Sequence, residues 1–213
     1  MLAGRAQPGD REALSPTTPV GLRPARAFDR TAWASYAAPV PASLTDTLCT
    51  SCGLCCDGSL FADVELGSRA EVTALEILGL DVEDEGTSGG LLSLPCAGLA
   101  GSRCTIYAHR PGCCRTFECR VLQDARRGSV SVVEARALIA DALEQIRRVK
   151  GLLAELGEAD ARLPLVERCA EALARDRGAD PVRSRTRAAL ESAMSGVEKL
   201  LRERFLTTPI DRR

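Results

Sequence analysis

Cys49-Thr50-Ser51-Cys52-Gly53-Leu54-Cys55-Cys56 places four thiols in eight residues. A hydrophobic core has no need of that arrangement, and one disulfide cannot account for it. Cys96, Cys104, Cys113, Cys114 and Cys119 follow, so nine of the ten cysteines fall within the 71 residues from Cys49 to Cys119. That density exceeds the ~8–10% that marks a cysteine-scaffolded module. Sulfur chemistry therefore organises this part of the chain, and the other segments are read by their relation to it.

Outward from the octet, Asp57-Gly58 turns the chain and Leu60–Leu66 alternates as a short strand would. Ser68-Arg69-Ala70-Glu71 predicts a capping box opening a helix with Val72, Leu75, Ile77 and Leu78, ended at Gly79. Residues 81–90 are acidic and Gly-rich and read as a surface loop. Leu91–Cys96, Cys104–Tyr107 and Arg110–Cys119 then bring the chain back to the sulfurs three times.

After Gly128 the pattern becomes helical. Ser131-Val132-Val133-Glu134 is a second capping box, followed by Ile139, Leu143, Ile146, Val149, Leu153 and Leu156 on one face. Pro164 suits the first turn of a helix through Val166, Ala170 and Leu173. Asp180-Pro181 opens another, with Leu190, Met194, Val197, Leu201 and Phe205 as its buried stripe. Core packing is the plain reading of these stripes. Before the octet, six prolines within residues 1–44 predict a flexible arm. The predicted organisation is an arm (1–44), a cysteine-cluster metal module (45–127) and a helical tail packing on it (128–213). The fold class is mainly α, with a small irregular α+β cysteine-rich module.

Composition narrows the function. Twenty-eight basic and 29 acidic residues give a net charge of −1, and aromatics make up 3%. Neither a cationic field nor a stacking platform for nucleic acid is present. No apolar run approaches the ~18 residues that span a bilayer. The first eight residues lack the apolar core of a secretory signal, so a cytoplasmic, reducing setting is expected. There, closely spaced cysteines bind metal more often than they pair.

Thiolates are soft ligands suited to zinc or to iron–sulfur clusters. Cys49, Cys52 and Cys55 repeat a two-residue spacing, as at the start of a bacterial ferredoxin motif. Cys56, next in the chain, is expected to diverge toward a second metal or another cluster atom. Arg103, Arg110, Arg115 and Arg120 stand beside the later cysteines, where they would offset thiolate charge or simply be solvated. A disulfide framework is the competing reading of the cysteines. His109, the only histidine, beside a Pro turn, reads as structural, and Cys169 as a buried small hydrophobe on a tail helix. A Cys/His nucleophile pair stays open, but the metal reading uses the same cysteines better.

The ordered anchors Cys49-x2-Cys52-Gly53-x-Cys55-Cys56, Pro95-Cys96, Cys104-x-Ile106-Tyr107, Arg110-Pro111-x2-Cys114-Arg115 and Cys119 resemble the YkgJ-type cysteine-cluster family, the CxxCxxCC zinc- or iron-chelating domain, over about residues 45–125. The resemblance implies eight metal ligands: Cys49, Cys52, Cys55, Cys56, Cys96, Cys104, Cys114 and Cys119. Cys113 falls at a variable position of the pattern, and Cys169 lies outside it. The implied cofactor is an iron–sulfur cluster or zinc, and the implied protein a metal-binding one of unassigned role. Relatives with a similar cluster are associated with lysine methylation of flagellin, which makes an iron–sulfur enzyme one alternative. A zinc-stabilised adaptor with a protein partner is the other. Neither nucleic acid nor membrane is expected as a partner.

Overall fold

The computed structural model describes residues 43–84, 89–175 and 180–206. The arm expected over residues 1–44 lies almost entirely outside them. Within the described part, Ser43 caps the first helix, α1 (Leu44–Leu48). Its hydroxyl accepts from the Asp46 amide, and the Asp46 carboxylate reaches back to the Ser43 amide.

Two hydrophobic clusters flank the cysteines. The smaller is built on a three-stranded antiparallel sheet of β1 (Asp63–Leu66), β2 (Val82–Asp84) and β3 (Gly90–Ser93), in the order β1-β3-β2. Leu92 is opposite both Val64 and Val82. Helix α2 (Arg69–Ile77) covers one face, and Val72, Leu75 and Leu80 bury against Leu66 and Leu92. Ile77 and Leu78, expected in the buried face of this helix, are 80% and 41% exposed. The helix is short, and its second turn already leaves the sheet. The first turn of residues 81–90 is likewise a strand and not a loop. Pairing to β3 satisfies its backbone, and an edge position leaves Glu83 in solvent.

The larger cluster is helical. Helices α3 (Gly112–Thr116) and α4 (Arg120–Arg126) precede α5 (Val132–Glu155), α6 (Leu165–Ala174) and α7 (Pro181–Arg204). The Ser131–Glu134 capping box is present, and Ile139, Ile146, Val149, Leu153 and Leu156 are buried, with Leu143 half-buried. Asp180 caps α7 through the Val182 amide at 3.0 Å, and Leu190, Met194, Val197, Leu201 and Phe205 are all buried. Helix α6 is phased differently from the expectation. Pro164 is its N-cap, Leu165, Cys169 and Ala172 point inward, and Val166 is 49% exposed. The chain enters α6 from a backbone bond between the Leu165 amide and the Gly58 carbonyl at 2.9 Å. That remote tie sets the rotation of the helix, and local periodicity does not report it.

The helical cluster also takes in Leu48, Leu54, Val121 and Leu122 from the cysteine-bearing half, so one core runs through both halves. Further ties join them. The Arg120 amide donates to the Phe205 carbonyl at 2.9 Å, and Lys150 Nζ lies 3.2 Å from Asp57 Oδ2. The fold is mainly α with a small α+β region around the cysteines. Among the described residues no helix is long and apolar enough to cross a membrane.

Candidate metal centre

The octet is a knuckle pinned by one leucine. After α1 the chain tightens into a 3-10 turn over Cys49–Ser51, and the Cys52 amide donates to the Cys49 carbonyl at 3.1 Å. Gly53 then adopts φ +75°, a left-handed conformation that costs a residue with a Cβ about 1–2 kcal/mol. Its carbonyl accepts from the amides of Cys56 (2.9 Å) and Asp57 (3.0 Å). Between the two turns Leu54 is fully buried in the helical cluster. Burying Leu54 fixes the knuckle while Cys52 and Cys55, on either side of it, remain at a cavity. Ser102 closes the arrangement, its hydroxyl donating to the Thr50 carbonyl at 2.6 Å.

The later cysteines arrive on four chain segments. The Cys96 amide donates to the Cys56 carbonyl at 2.8 Å, directly after the sheet. A two-stranded ribbon follows, β4 (Leu99–Ala100) and β5 (Arg103–Cys104), with Leu99 paired to Cys104. Cys113 and Cys114 sit in α3, and Cys119 is the residue that caps α4. The N-terminus of α3 is held from across the molecule. Glu71 Oε1 accepts from the Gly112 amide at 2.7 Å, and Oε2 from the Gly67 amide at 2.9 Å. The capping box expected at Ser68 is therefore half-made. Ser68 accepts from the Glu71 amide, but the Glu71 carboxylate serves Gly67 and Gly112 instead of Ser68.

All eight cysteines of the expected ligand set line one cavity of about 560 Å³, together with Cys113. Its wall is otherwise mainly apolar, with Phe61 and Phe117 stacked edge to face at 5.1 Å and Leu94, Leu122 and Phe205 behind them. Backbone amides point at several sulfurs: Leu54 at Cys52, Gly98 at Cys96, and Val121 and Leu122 at Cys119. Such donors favour thiolate. They are outweighed by burial, reinforced by neighbouring thiolates. Burial pushes Cys52 and Cys114 up to about 12 and Cys56 to about 11, and raises Cys49, Cys55, Cys96 and Cys119 as well. Burial raises Cys169 in the helical core in the same way, so the candidate site is distinguished by the gathering of sulfurs at one cavity and not by the direction of the shift. The sulfurs are gathered but not clamped. Among the described residues, no three Cys, His, Asp or Glu side chains are already set about a single ion. Side-chain rotation within the cavity has to complete any coordination shell.

Of the four arginines singled out from sequence, Arg110 and Arg115 line the cavity. Arg110 stacks on Tyr107, its guanidinium carbon 3.7 Å from the ring centroid, and lowers the cost of thiolate at Cys49 and Cys56. Arg103 is exposed and outside the wall, and Arg120 donates to the Glu203 carbonyl at 3.1 Å. Arg126 is in the wall and was not anticipated. It lies seven residues past Cys119, and about two turns of α4 carry it back, where it pairs with Glu118 at 2.8 Å and Thr45 at 3.1 Å. His109 is exposed and outside the cavity wall. Cys169 is buried in the helical core, away from the other sulfurs.

Residues 48–134 match the family model named CxxCxxCC, described as a "putative zinc- or iron-chelating domain". This segment is similar to the CxxCxxCC domain. The match begins at Leu48, which buries just before the first cysteine, and ends at Glu134, which completes the cap of α5. The CxxCxxCC description agrees with zinc or iron as the metal inferred from the cysteine pattern. No curated protein and no solved structure matches the chain.

Proposed function

We propose that this chain is a cytoplasmic metal-binding protein whose eight cysteines Cys49, Cys52, Cys55, Cys56, Cys96, Cys104, Cys114 and Cys119 ligate zinc or iron, with iron–sulfur the favoured form. The observation that carries the reading is the convergence of all eight thiols, from five separate chain segments, on one cavity. The two-residue repeat at Cys49, Cys52 and Cys55 favours a cluster over a bare ion. When bound, such a centre supplies either a structural crosslink or an electron-transfer site. The chain's own residues would orient the sulfurs through the Leu54, Gly98, Val121 and Leu122 amides, and offset their charge through Arg110, Arg115 and Arg126.

In this reading residues 45–127 are the metal module and residues 128–213 the helical tail seated on it, a division supported by where the cysteines stop. The ten unpaired thiols suit a reducing compartment. The test is anaerobic purification followed by metal and acid-labile sulfide analysis. Brown protein containing iron and sulfide supports the cluster. Colourless protein containing zinc and no sulfide selects zinc with the same ligands. Protein without either metal overturns the reading.

A further inference from the structure

We infer that the eight thiols form two four-thiolate centres: Cys49, Cys52, Cys55 and Cys119 on the helical side of the cavity, and Cys56, Cys96, Cys104 and Cys114 on the sheet side. The inference rests on the metal reading above and divides its ligand set.

Packing separates the sulfurs first. Cys52 and Cys119 pack against the helical cluster, whereas Cys96 and the α3 residue Cys113 pack against the sheet cluster. The residues that anchor each set follow the same division. Leu48 precedes Cys49, Leu54 lies between Cys52 and Cys55, and Val121 and Leu122 follow Cys119; all four belong to the helical core. On the other side, Cys96 is bonded through its amide to the Cys56 carbonyl at 2.8 Å, and through its carbonyl to the Leu99 amide at 2.9 Å. Leu99 in turn pairs with Cys104 across the ribbon. Cys114 adjoins this set on α3, next to Cys113. The two sets meet at the chain neighbours Cys55 and Cys56, which both line the cavity.

Ligand number makes the same division. A tetrahedral zinc site takes four thiolates, and so does an iron–sulfur cubane. One such centre would leave four of the cavity's eight family-pattern thiols without a metal. Two centres employ all eight.

The experiment counts metal. The intact chain, stripped anaerobically of its metal and titrated with cobalt(II), should reach its thiolate-absorption end point at two equivalents; an end point at one equivalent overturns the inference. In protein as purified, Cys52→Ser and Cys119→Ser should each halve the metal content, and the double variant should lose no more than either. Cys96→Ser and Cys104→Ser should behave alike for the other half. Cys52→Ser combined with Cys96→Ser should abolish binding. If Cys52→Ser alone removes all metal while α5–α7 circular dichroism is retained, or if it alters the cobalt spectrum of the sheet-side set, the sulfurs form one shared centre and the inference fails. Protein that as purified contains neither iron nor zinc, and when metal-free takes up no cobalt, would instead remove the metal reading itself.

Discussion

The amide of Cys96 donates to the carbonyl of Cys56 at 2.8 Å, joining the end of the octet to the chain as it leaves the sheet. Forty residues of strand, helix and hairpin separate the two cysteines in sequence, so this contact is a product of the sheet fold. It makes the sheet-side sulfurs dependent on the small cluster of Leu66, Val72, Leu75, Leu80 and Leu92, while the Cys49 end depends on the helical core.

The Glu71 carboxylate ties the start of α3 to the start of α2, because it accepts from both the Gly112 and Gly67 amides. Charge-assisted hydrogen bonds of this kind contribute about 1.5–3 kcal/mol. Glu71→Ala should therefore destabilise the fold by about that amount, and the Gly112 amide should exchange with solvent much faster. Glu71→Gln keeps one acceptor oxygen and should lose less. Urea titration and amide hydrogen exchange measure both; unchanged protection of Gly112 in Glu71→Ala would contradict the bridging role.

Two glycines separate crowding from backbone strain. Gly53 and Gly101 both have positive φ, +75° and +62°. A Cβ on Gly53 would meet the Ser102 Cα at 3.3 Å, whereas a Cβ on Gly101 meets nothing within 4 Å. Gly101→Ala should cost about 1–2 kcal/mol from φ alone. Gly53→Ala should cost more, and should lower the metal content because the knuckle holding Cys52 and Cys55 must shift. Thermal melts and metal analysis of the two variants check this, with equal effects counting against the crowding argument.

How much of this was readable beforehand depends on range. The capping box at Ser131–Glu134, the stripe of α7 and the nine-cysteine window are local patterns, and the structure keeps them. The rotation of α6 was not readable, because the Leu165–Gly58 bond that sets it spans more than a hundred residues. Glu71 looked like a capping residue for the same reason: its local partner is an alternative to Gly112, and only the fold brings Gly112 within reach. Arg126 could have been found by projecting α4 as a helix and asking which cation returns to the Cys119 end. Strand β2 was hidden by its acidic composition, since an edge strand tolerates charge that a central one does not.

Glu158 is fully buried and accepts from Arg168 Nε at 2.7 Å and from the Asp160 amide at 2.6 Å. Removing one partner of a buried pair strands the other charge, a loss of about 3–5 kcal/mol. Arg168→Ala should therefore rank among the most destabilising single changes in the helical half. It should leave metal content per folded chain unaltered, since neither residue touches the sulfur cavity. Denaturant unfolding gives the first quantity and elemental analysis the second; a loss under 1 kcal/mol would mean the pair behaves as a surface one.

The metal-free protein should lose stability as pH rises. Ordinary cysteine titrates near 9.0, but in the fold Cys56 is pushed up to about 11, and Cys52 and Cys114 to about 12, first by burial and then by neighbouring thiolates. Cys169, in the helical core, is also raised to about 11 by burial. Below pH 9 these thiols are neutral in both the folded and unfolded states, so stability is fully present. Between about 9 and 12 the unfolded chain releases protons that the folded chain retains, and the balance moves toward unfolding. Metal binding reverses the direction: thiols protonated at pH 7 must release protons to become ligands, so affinity for metal should rise with pH and loading should acidify a weak buffer. Thermal melts of apoprotein from pH 7 to 11, and proton release on zinc addition, test the two halves. Stability of the apoprotein that increases over pH 9–11 would show that the folded thiols ionise more readily than the unfolded ones.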